Sequence, residues 1–409
     1  MVDRVYLSEV QLSGYKTIYD VHVDFNPGLN IIIGKNGAGK TNFLNFLNIA
    51  LKRDYKKILN YKTSLTFKAA KGTLEVSSEK QSNFKETSRQ DFIDSLNDDS
   101  SETRAVLTLP DGSQLADDEN ISVFLRKQNF DIGKIVIPHG IRTGKDNRII
   151  DYPYSFTYAY TKIHNSSLLT DFLDDDNSYF FKSVASTIYF AMIDNLGEDF
   201  DENIETSFEE AKLKEIILKT FREIEECLNE TLSNYLPIEE IKFNESFSIY
   251  HDSITKNIKI ENTYLEYKVQ GTWLPFSSLS DGTKRLFCIF SDLISPKYFD
   301  LKDGDLGMWH KVVLLEEPEL GIHPHQFHTL MTFLKSVSND VQIILTTHSP
   351  AALDIITPEG LDILHICSFD IEKGTQLVSL TNSQKDSVIH YLNNESYLSD
   401  YWRYSDLES

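Results

Sequence analysis

Leu29-Asn30-Ile31-Ile32-Ile33 runs directly into Gly34-Lys35-Asn36-Gly37-Ala38-Gly39-Lys40-Thr41, the pattern G-x-x-x-x-G-K-T. The β-branched run reads as a strand, and Phe43, Leu44, Phe46, Leu47, Ala50 and Leu51 keep helical spacing after it. A strand that ends in a glycine-rich loop, with a helix beyond, is a phosphate cradle. Its glycines let backbone N–H groups turn inward around a β-phosphate, where a Cβ would collide. Lys40 supplies a mobile charge for the β/γ oxygens, and Thr41 a hydroxyl for Mg²⁺. The helix expected from about Asn42 to Leu51 aims its positive end at the same phosphates. The stretch is a nucleotide-binding loop.

Outward from that loop, the chain has room for a large core. Its 409 residues are 41% hydrophobic and 12% aromatic, which argues against global disorder. Cys227, Cys288 and Cys367 lie far apart with no C-x-x-C, so neither a zinc site nor a disulfide framework is expected. The first residues lack the layout of a signal peptide, and no run approaches the roughly 18 apolar residues of a membrane helix. A cytoplasmic protein without membrane contact is the expectation. A net charge of −22 repels nucleic-acid backbone and excludes a general nucleic-acid coat. Lys52, Arg53, Lys56, Lys57 and Lys62 form a local basic cluster, either a solvated helix face or a nucleic-acid contact.

The N-terminal part reads as β-rich. Tyr6 to Leu12 and Ile18 to Phe25 alternate around the turn Ser13–Thr17, and Asn26-Pro27-Gly28 delivers the chain into the phosphate-loop strand. Further strand pairs are expected at 64–69 with 72–77, and around Asp111-Gly112, with a buried strand at Lys134–Pro138. The middle is acidic at 171–176 and 198–202, which reads as solvated helix ends and loops. A helix over Phe208–Tyr235 buries Ile216, Ile217, Phe221, Ile224, Cys227, Leu228, Leu232 and Tyr235. The last third alternates strand and helix: strands at 311–315, 341–345 and 361–367, helices at 325–337 and 350–355. Such alternation predicts a mainly parallel sheet. The expected division is 1–165, a lobe carrying the phosphate loop; 166–265, a mainly helical acidic insertion; and 266–409, a second α/β lobe.

Three more motifs follow. Val312–Leu315 leads into Glu316-Glu317-Pro318-Glu319, paired carboxylates at a strand's carboxyl end, where ligands sit in open α/β sheets. Nucleotide hydrolysis needs one carboxylate to hold the Mg²⁺ shell and one to orient or deprotonate water. Thr346-Thr347-His348-Ser349-Pro350 closes the next buried strand and places a histidine where it senses a γ-phosphate. Leu279-Ser280-Asp281-Gly282-Thr283 opens a helix, with Ser280 as N-cap and Gly282 permitting a close approach.

Together these motifs resemble the ABC-type ATPase head of the SMC and RecF group, nearest to the overcoming-lysogenization-defect (OLD)-like ATPases labelled AAA-type. The likeness covers the first 50 or so residues and about Phe276 to Asp354. It implies an α/β P-loop head with a β-rich N-terminal lobe and a helical insertion, with ATP and Mg²⁺ as ligands. By this resemblance Gly34–Thr41 is Walker A, with Asn42 beside it, and Ser280, Asp281 and Gly282 are the signature that contacts ATP. Thr41 and Glu316 hold the metal, Glu317 is the catalytic base and His348 the switch histidine. Glu319–His323 is the D-loop, and Lys16 lies in a turn near the nucleotide. Glu316 stands where Walker B usually ends in Asp. Gln81 and Gln128 are the two Q-loop candidates, and neither sits in a convincing context. His323, His325 and His328 suggest zinc, yet they fall on the D-loop and the helix after it.

The resemblance also implies that two copies sandwich two ATP molecules, with low, assembly-dependent turnover. Residues 355–409 lack the carboxylates of a Toprim nuclease, so the effector is expected on a separate polypeptide. Stand-alone ATPases of this kind resemble those of two-gene anti-phage systems, paired with a Toprim or an HNH nuclease (PARIS-like and Septu-like respectively). The expected function is an ATP-driven sensor and scaffold. Two alternatives stay open: a RecF-like repair ATPase that binds DNA ends, and a nearly inactive nucleotide-gated binding module.

Overall fold

A computed structural model describes residues 5–52, 55, 58–69, 72–80, 102–117, 138–139, 156–160, 188, 191, 195, 210–252, 257–298, 312–394 and 397–404. The chain divides into two compact units: Met1–Gly140 with Gly307–Leu320 and Phe327–Ser409, and Ile141–Leu306 with Gly321–Gln326. Several expected features lie outside the described residues: the polar stretch 81–100, the strand at 134–137, the loop 140–148, and both acidic runs. Arg53, Lys56, Lys57, Gln81 and Gln128 lie outside them too.

In the first unit, β1 (Tyr6–Ser13) and β2 (Val21–Asp24) form the expected hairpin. They join β4 (Tyr61–Ala69), β5 (Gly72–Lys80), β6 (Glu102–Thr108) and β7 (Gln114–Asp117) in an antiparallel sheet of order β2-β1-β4-β5-β6-β7. Alternate β4 residues Tyr61, Thr63, Leu65 and Phe67 are buried, the pattern of a sheet with one face packed. The expected Asp111-Gly112 turn joins β6 to β7, with Gly112 at φ 82° and Asp111 accepting from the Ser113 amide.

The second sheet of this unit carries the loop. β3 (Leu29–Ile33) is buried at every position, as a strand covered on both faces requires. Its neighbours are β17 (Leu364–Asp370) on one side and β16 (Gln342–Thr347) on the other; beyond β16 come β15 (Val312–Glu316) and β8 (Pro138–His139). These five strands run parallel, as expected. One edge differs: β18 (Gly374–Ser379) pairs antiparallel with β17. The expected strand at 361–367 begins only at Leu364. Pro358–Ile363 forms a 3₁₀ turn instead, in which the Gly360 amide donates to Thr357. Helix α1 (Lys40–Lys52) packs on β15 and β16 from one side and on β4 from the other. Phe43, Phe46 and Leu47, all buried, fill that space with Leu314, Ile344 and Leu65.

Buried polar side chains here are matched to backbone. Asn30 Oδ1 accepts from the Asn26 amide and its Nδ2 donates to the Asn26 carbonyl, which closes the turn before β3. Gln342 bonds both the amide and the carbonyl of Leu7, where the β1 register shifts between Leu7 and Glu9. Such pairing avoids the cost of burying an unmade hydrogen bond. Helix α4 (Pro324–Val337) buries Phe327, Leu330, Met331, Phe333 and Leu334. Near the C-terminus lie α5 (Asn382–Asn394) and α6 (Leu398–Tyr404).

The second unit holds α2 (Glu210–Leu232), whose buried stripe is Leu213, Ile216, Ile217, Thr220, Phe221, Ile224, Leu228 and Leu232. Cys227, expected in that stripe, sits at its border, half-buried. Residues 240–275 then form five strands that helical periodicity gave no sign of: β10 (Glu240–Phe243), β11 (Ser248–Asp252), β12 (Asn257–Thr263), β13 (Leu265–Val269) and β14 (Thr272–Pro275). They form two small sheets, β10-β13-β14 and β11-β12-β9, the latter with β9 (Phe156–Tyr160). α2 docks on β10 through Asn229, which bonds the amide and carbonyl of Ile241, and through Phe221 stacked on Phe243 at 4.0 Å. Helix α3 (Asp281–Tyr298) also belongs to this unit.

Candidate nucleotide site

Gly37 and Gly39 adopt φ 85° and 101°, the left-handed region that a glycine enters freely. Gly34 and Gly39 are further constrained by neighbours. A Cβ on Gly34 would collide with the Cys367 carbonyl of β17, and one on Gly39 with the Thr375 hydroxyl of β18. The β17–β18 hairpin therefore supports the loop from behind. Lys40, 5% exposed, donates through Nζ to the carbonyls of Gly34 (2.7 Å) and Lys35 (3.1 Å), which sets its ammonium in the loop's centre. Asn42 Nδ2 donates to Thr17 Oγ1 at 2.8 Å, as does the Thr375 hydroxyl, also at 2.8 Å. One threonine thus ties the β1–β2 turn, α1 and β18 together.

Register brings the other motifs level with the loop. Ile33 pairs with Thr347 and Thr346 pairs with Glu316, so β3, β16 and β15 all end at one edge of the sheet. Glu317 takes φ 41°, and its amide donates to the Thr346 carbonyl at 2.8 Å. A left-handed non-glycine residue costs roughly 1–2 kcal/mol, so the fold pays to aim this carboxylate. His348 Nδ1 lies 3.4 Å from Glu317 Oε1 and 3.3 Å from Glu319 Oε1. Glu319, its side chain 9% exposed, also accepts from the Thr347 hydroxyl (2.6 Å) and the His348 amide (3.1 Å).

Asn36, Gly37, Gly39, Lys40, Thr41, Asn42 and Glu317 line a cleft of ≈160 Å³. Whole-ligand pockets run to about 300–1,000 Å³, so this volume suits a phosphate chain and not a complete nucleotide. The residues also fit Mg²⁺. Thr41 offers an exposed hydroxyl at the cleft, and Glu316 stands at the end of β15. Cross-strand from Glu316, the buried Thr346 hydroxyl has no hydrogen-bond partner among the described residues. An all-oxygen set of this kind is what a small, hard cation takes.

Residues 29–354 match the family model described as "AAA domain, putative AbiEii toxin, Type IV TA system". The chain belongs to this AAA-domain family. Among curated proteins it is similar to the "Septu protein PtuA" of Bacillus thuringiensis, 24% identical over 372 residues, which cover 87% of this chain and 76% of that protein. It is also similar to the "Retron Vc95 probable ATPase" of Vibrio cholerae serotype O1 biovar El Tor, 29% identical over 117 residues, or 26% of this chain and 22% of that protein. Among solved structures, an Smc head bound to the C-winged helix domain of ScpA aligns with 93% of this chain and 99% of its own, at 14% identity and a TM-score of 0.48. The α/β P-loop class expected from the motifs is the class observed, and an AAA-type family is the one they pointed to.

Other expected residues of this AAA-domain chain sit as follows. Ser280 caps α3: its Oγ accepts from the Thr283 amide at 3.2 Å and pairs with the Thr283 hydroxyl at 2.8 Å. Asp281 opens that helix, exposed. Gly282 is buried, and a Cβ there would come within 3.0 Å of the Gly321 carbonyl, so its smallness admits the D-loop. These signature residues belong to the second unit, whereas the phosphate loop belongs to the first. Lys16 occupies the β1–β2 turn at φ 51°, with Nζ 5.0 Å over the Tyr15 ring, and does not line the cleft. The D-loop and α4 histidines form no ligand group with other described residues. Among the described residues, the group of three with ligand atoms close together is the Glu9, His22 and Asp24 cluster on β1–β2. Thr17, Cys367 and Thr375 support the loop without any sequence signal. Glu319 was visible in Glu-Glu-Pro-Glu, but its hold on His348 was not.

Proposed function

We propose that this chain binds and slowly hydrolyses ATP with Mg²⁺, that two copies close around ATP, and that the cycle controls a separate effector in anti-phage defence. The supporting observation is the shared level of the phosphate loop, Glu316–Glu317 and His348 at one sheet edge. Lys40 and the loop amides hold the β- and γ-phosphates, with Asn42 alongside. Glu317 takes a proton from the attacking water as its oxygen bonds to the γ-phosphorus and the β–γ bridge bond breaks; ADP and phosphate leave. His348 steadies Glu317 and senses the γ-phosphate. Thr41 and Glu316 would hold Mg²⁺, which when bound neutralises charge on the phosphate oxygens.

Ser280, Asp281 and Gly282 of one copy complete the site of the other. The start of α3 is a helix N-terminus, the end whose partial positive charge suits a partner's γ-phosphate. Likeness to the Septu and retron proteins supports a defence role; the effector in this reading is a Toprim or HNH nuclease on a separate polypeptide. The test is the mass of Glu317→Gln protein with and without Mg·ATP. A doubling with ATP, reversed by Lys40→Ala, supports the reading; an unchanged mass despite bound ATP removes the dimer from it.

A further inference from the structure

The order β18-β17-β3-β16-β15 gives a bound nucleotide a direction. His348 and Glu317 follow β16 and β15, on one side of β3, so the γ-phosphate end lies toward that side. The nucleoside end then leaves over the opposite side, where the β17–β18 hairpin stands. That hairpin already touches the loop at two points, the Cys367 carbonyl against Gly34 and the Thr375 hydroxyl against Gly39.

Phe369 stands at this place. It lies two residues beyond Cys367 on the same face of β17 and directly cross-strand from Thr375. On that face Cys367 is 1% exposed, Leu377 6% and Thr375 0%, whereas Phe369 is 47% exposed. Its support is fixed. The Thr375 amide donates to the Thr17 carbonyl at 2.8 Å, the Thr375 hydroxyl bonds Thr17 Oγ1, and the Tyr19 ring lies against Gly374 at the hairpin's start. Tyr19 is itself half exposed. A half-exposed aromatic side chain, on a braced strand pair whose Thr375 meets the loop, is a residue on which a base can stack.

We infer that Phe369 is the platform for the base of the bound nucleotide, with Tyr19 flanking it. This rests on the nucleotide reading above and adds the residue that recognises the base. Stacking uses the π-face common to all bases and is worth about 1–3 kcal/mol per base. The platform therefore separates nucleotides from bare phosphates and discriminates little between adenine and guanine.

The experiment titrates Mg·ATP, Mg·GTP and Mg·tripolyphosphate, which has no base, into the full chain by calorimetry. Phe369→Ala should weaken ATP and GTP binding about 5- to 150-fold and leave tripolyphosphate affinity unchanged, which also reports an intact loop. Phe369→Tyr should keep wild-type affinity. Ile371→Ala, an exposed apolar residue of the same hairpin, should change nothing. Unchanged ATP affinity in Phe369→Ala, or an equal loss for tripolyphosphate, overturns the platform. If the wild type bound neither ATP nor tripolyphosphate, the nucleotide reading itself would fall, and the platform with it.

Discussion

His348 Nδ1 stands 3.4 Å from Oε1 of Glu317, a residue held in the left-handed region at φ 41°. The pair joins the ends of two neighbouring strands, and Glu319 anchors the histidine from the other direction. A strained backbone at a carboxylate facing the phosphate cleft fits the habit of functional sites to store strain.

Substituting Glu317 separates chemistry from binding. Glu317→Gln keeps volume but cannot accept a proton, so steady-state phosphate release should fall about 10²- to 10⁴-fold while ATP affinity changes by no more than a few-fold. Glu317→Asn should also abolish turnover, yet raise stability by up to about 1 kcal/mol, since Asn tolerates left-handed backbone. A urea midpoint below that of the wild type would contradict the strain argument.

Glu319 should matter for both stability and rate. Glu319→Ala strands the Thr347 hydroxyl and the His348 amide, a loss of about 1–3 kcal/mol, and turnover should drop because His348 loses its anchor. Glu319→Gln retains an acceptor oxygen for Thr347 and should recover most of the stability. Denaturant midpoints together with phosphate release would show whether the two effects part in this way.

Two loop glycines should respond differently to alanine. Gly34→Ala drives a Cβ into the Cys367 backbone carbonyl, which cannot rotate away, so soluble yield or nucleotide binding should be lost. Gly37→Ala meets nothing within 4 Å and has only its φ of 85° to overcome, roughly 1–2 kcal/mol. Equal behaviour of the two variants in a thermal shift and ATP-binding assay would count against the crowding.

His365 should make stability depend on pH. It is buried on β17 beside the Phe25 ring, at a centroid distance of 5.2 Å, and burial pulls its pKa down from 6.5 to about 4. The unfolded chain therefore binds the proton more readily than the fold between those values. Stability from this residue is complete above about pH 6.5 and declines as pH falls toward 4, by at most about 1.4 kcal/mol per unit. In His365→Phe this part of the pH slope should vanish. Urea midpoints at pH 7, 6 and 5 give the comparison.

The phosphate loop, its strand and its helix were legible because each depends on neighbours a few residues away. Lys40 and Thr41 fall where the G-x-x-x-x-G-K-T spacing put them, and Glu316–Glu317 end a buried strand as their apolar approach required. The strands of 240–275 were not legible, since they are short and several are only partly buried, as with β14. The late start of β17 was hidden as well, because Leu361, counted into the strand, is buried in a 3₁₀ turn instead.

By itself the sequence determined that a strand must turn through Gly34–Gly39 into a helix, and that two carboxylates and a histidine must each terminate a buried strand. Those are local consequences of backbone freedom and hydrophobic runs. The tertiary structure alone decided that these ends share one sheet edge, that Thr17 meets Thr375 across 358 residues, and that Cys367 and Thr375 stand against Gly34 and Gly39 of the loop. Strand order and register come from packing whole faces together, a nonlocal balance that no short stretch of sequence encodes.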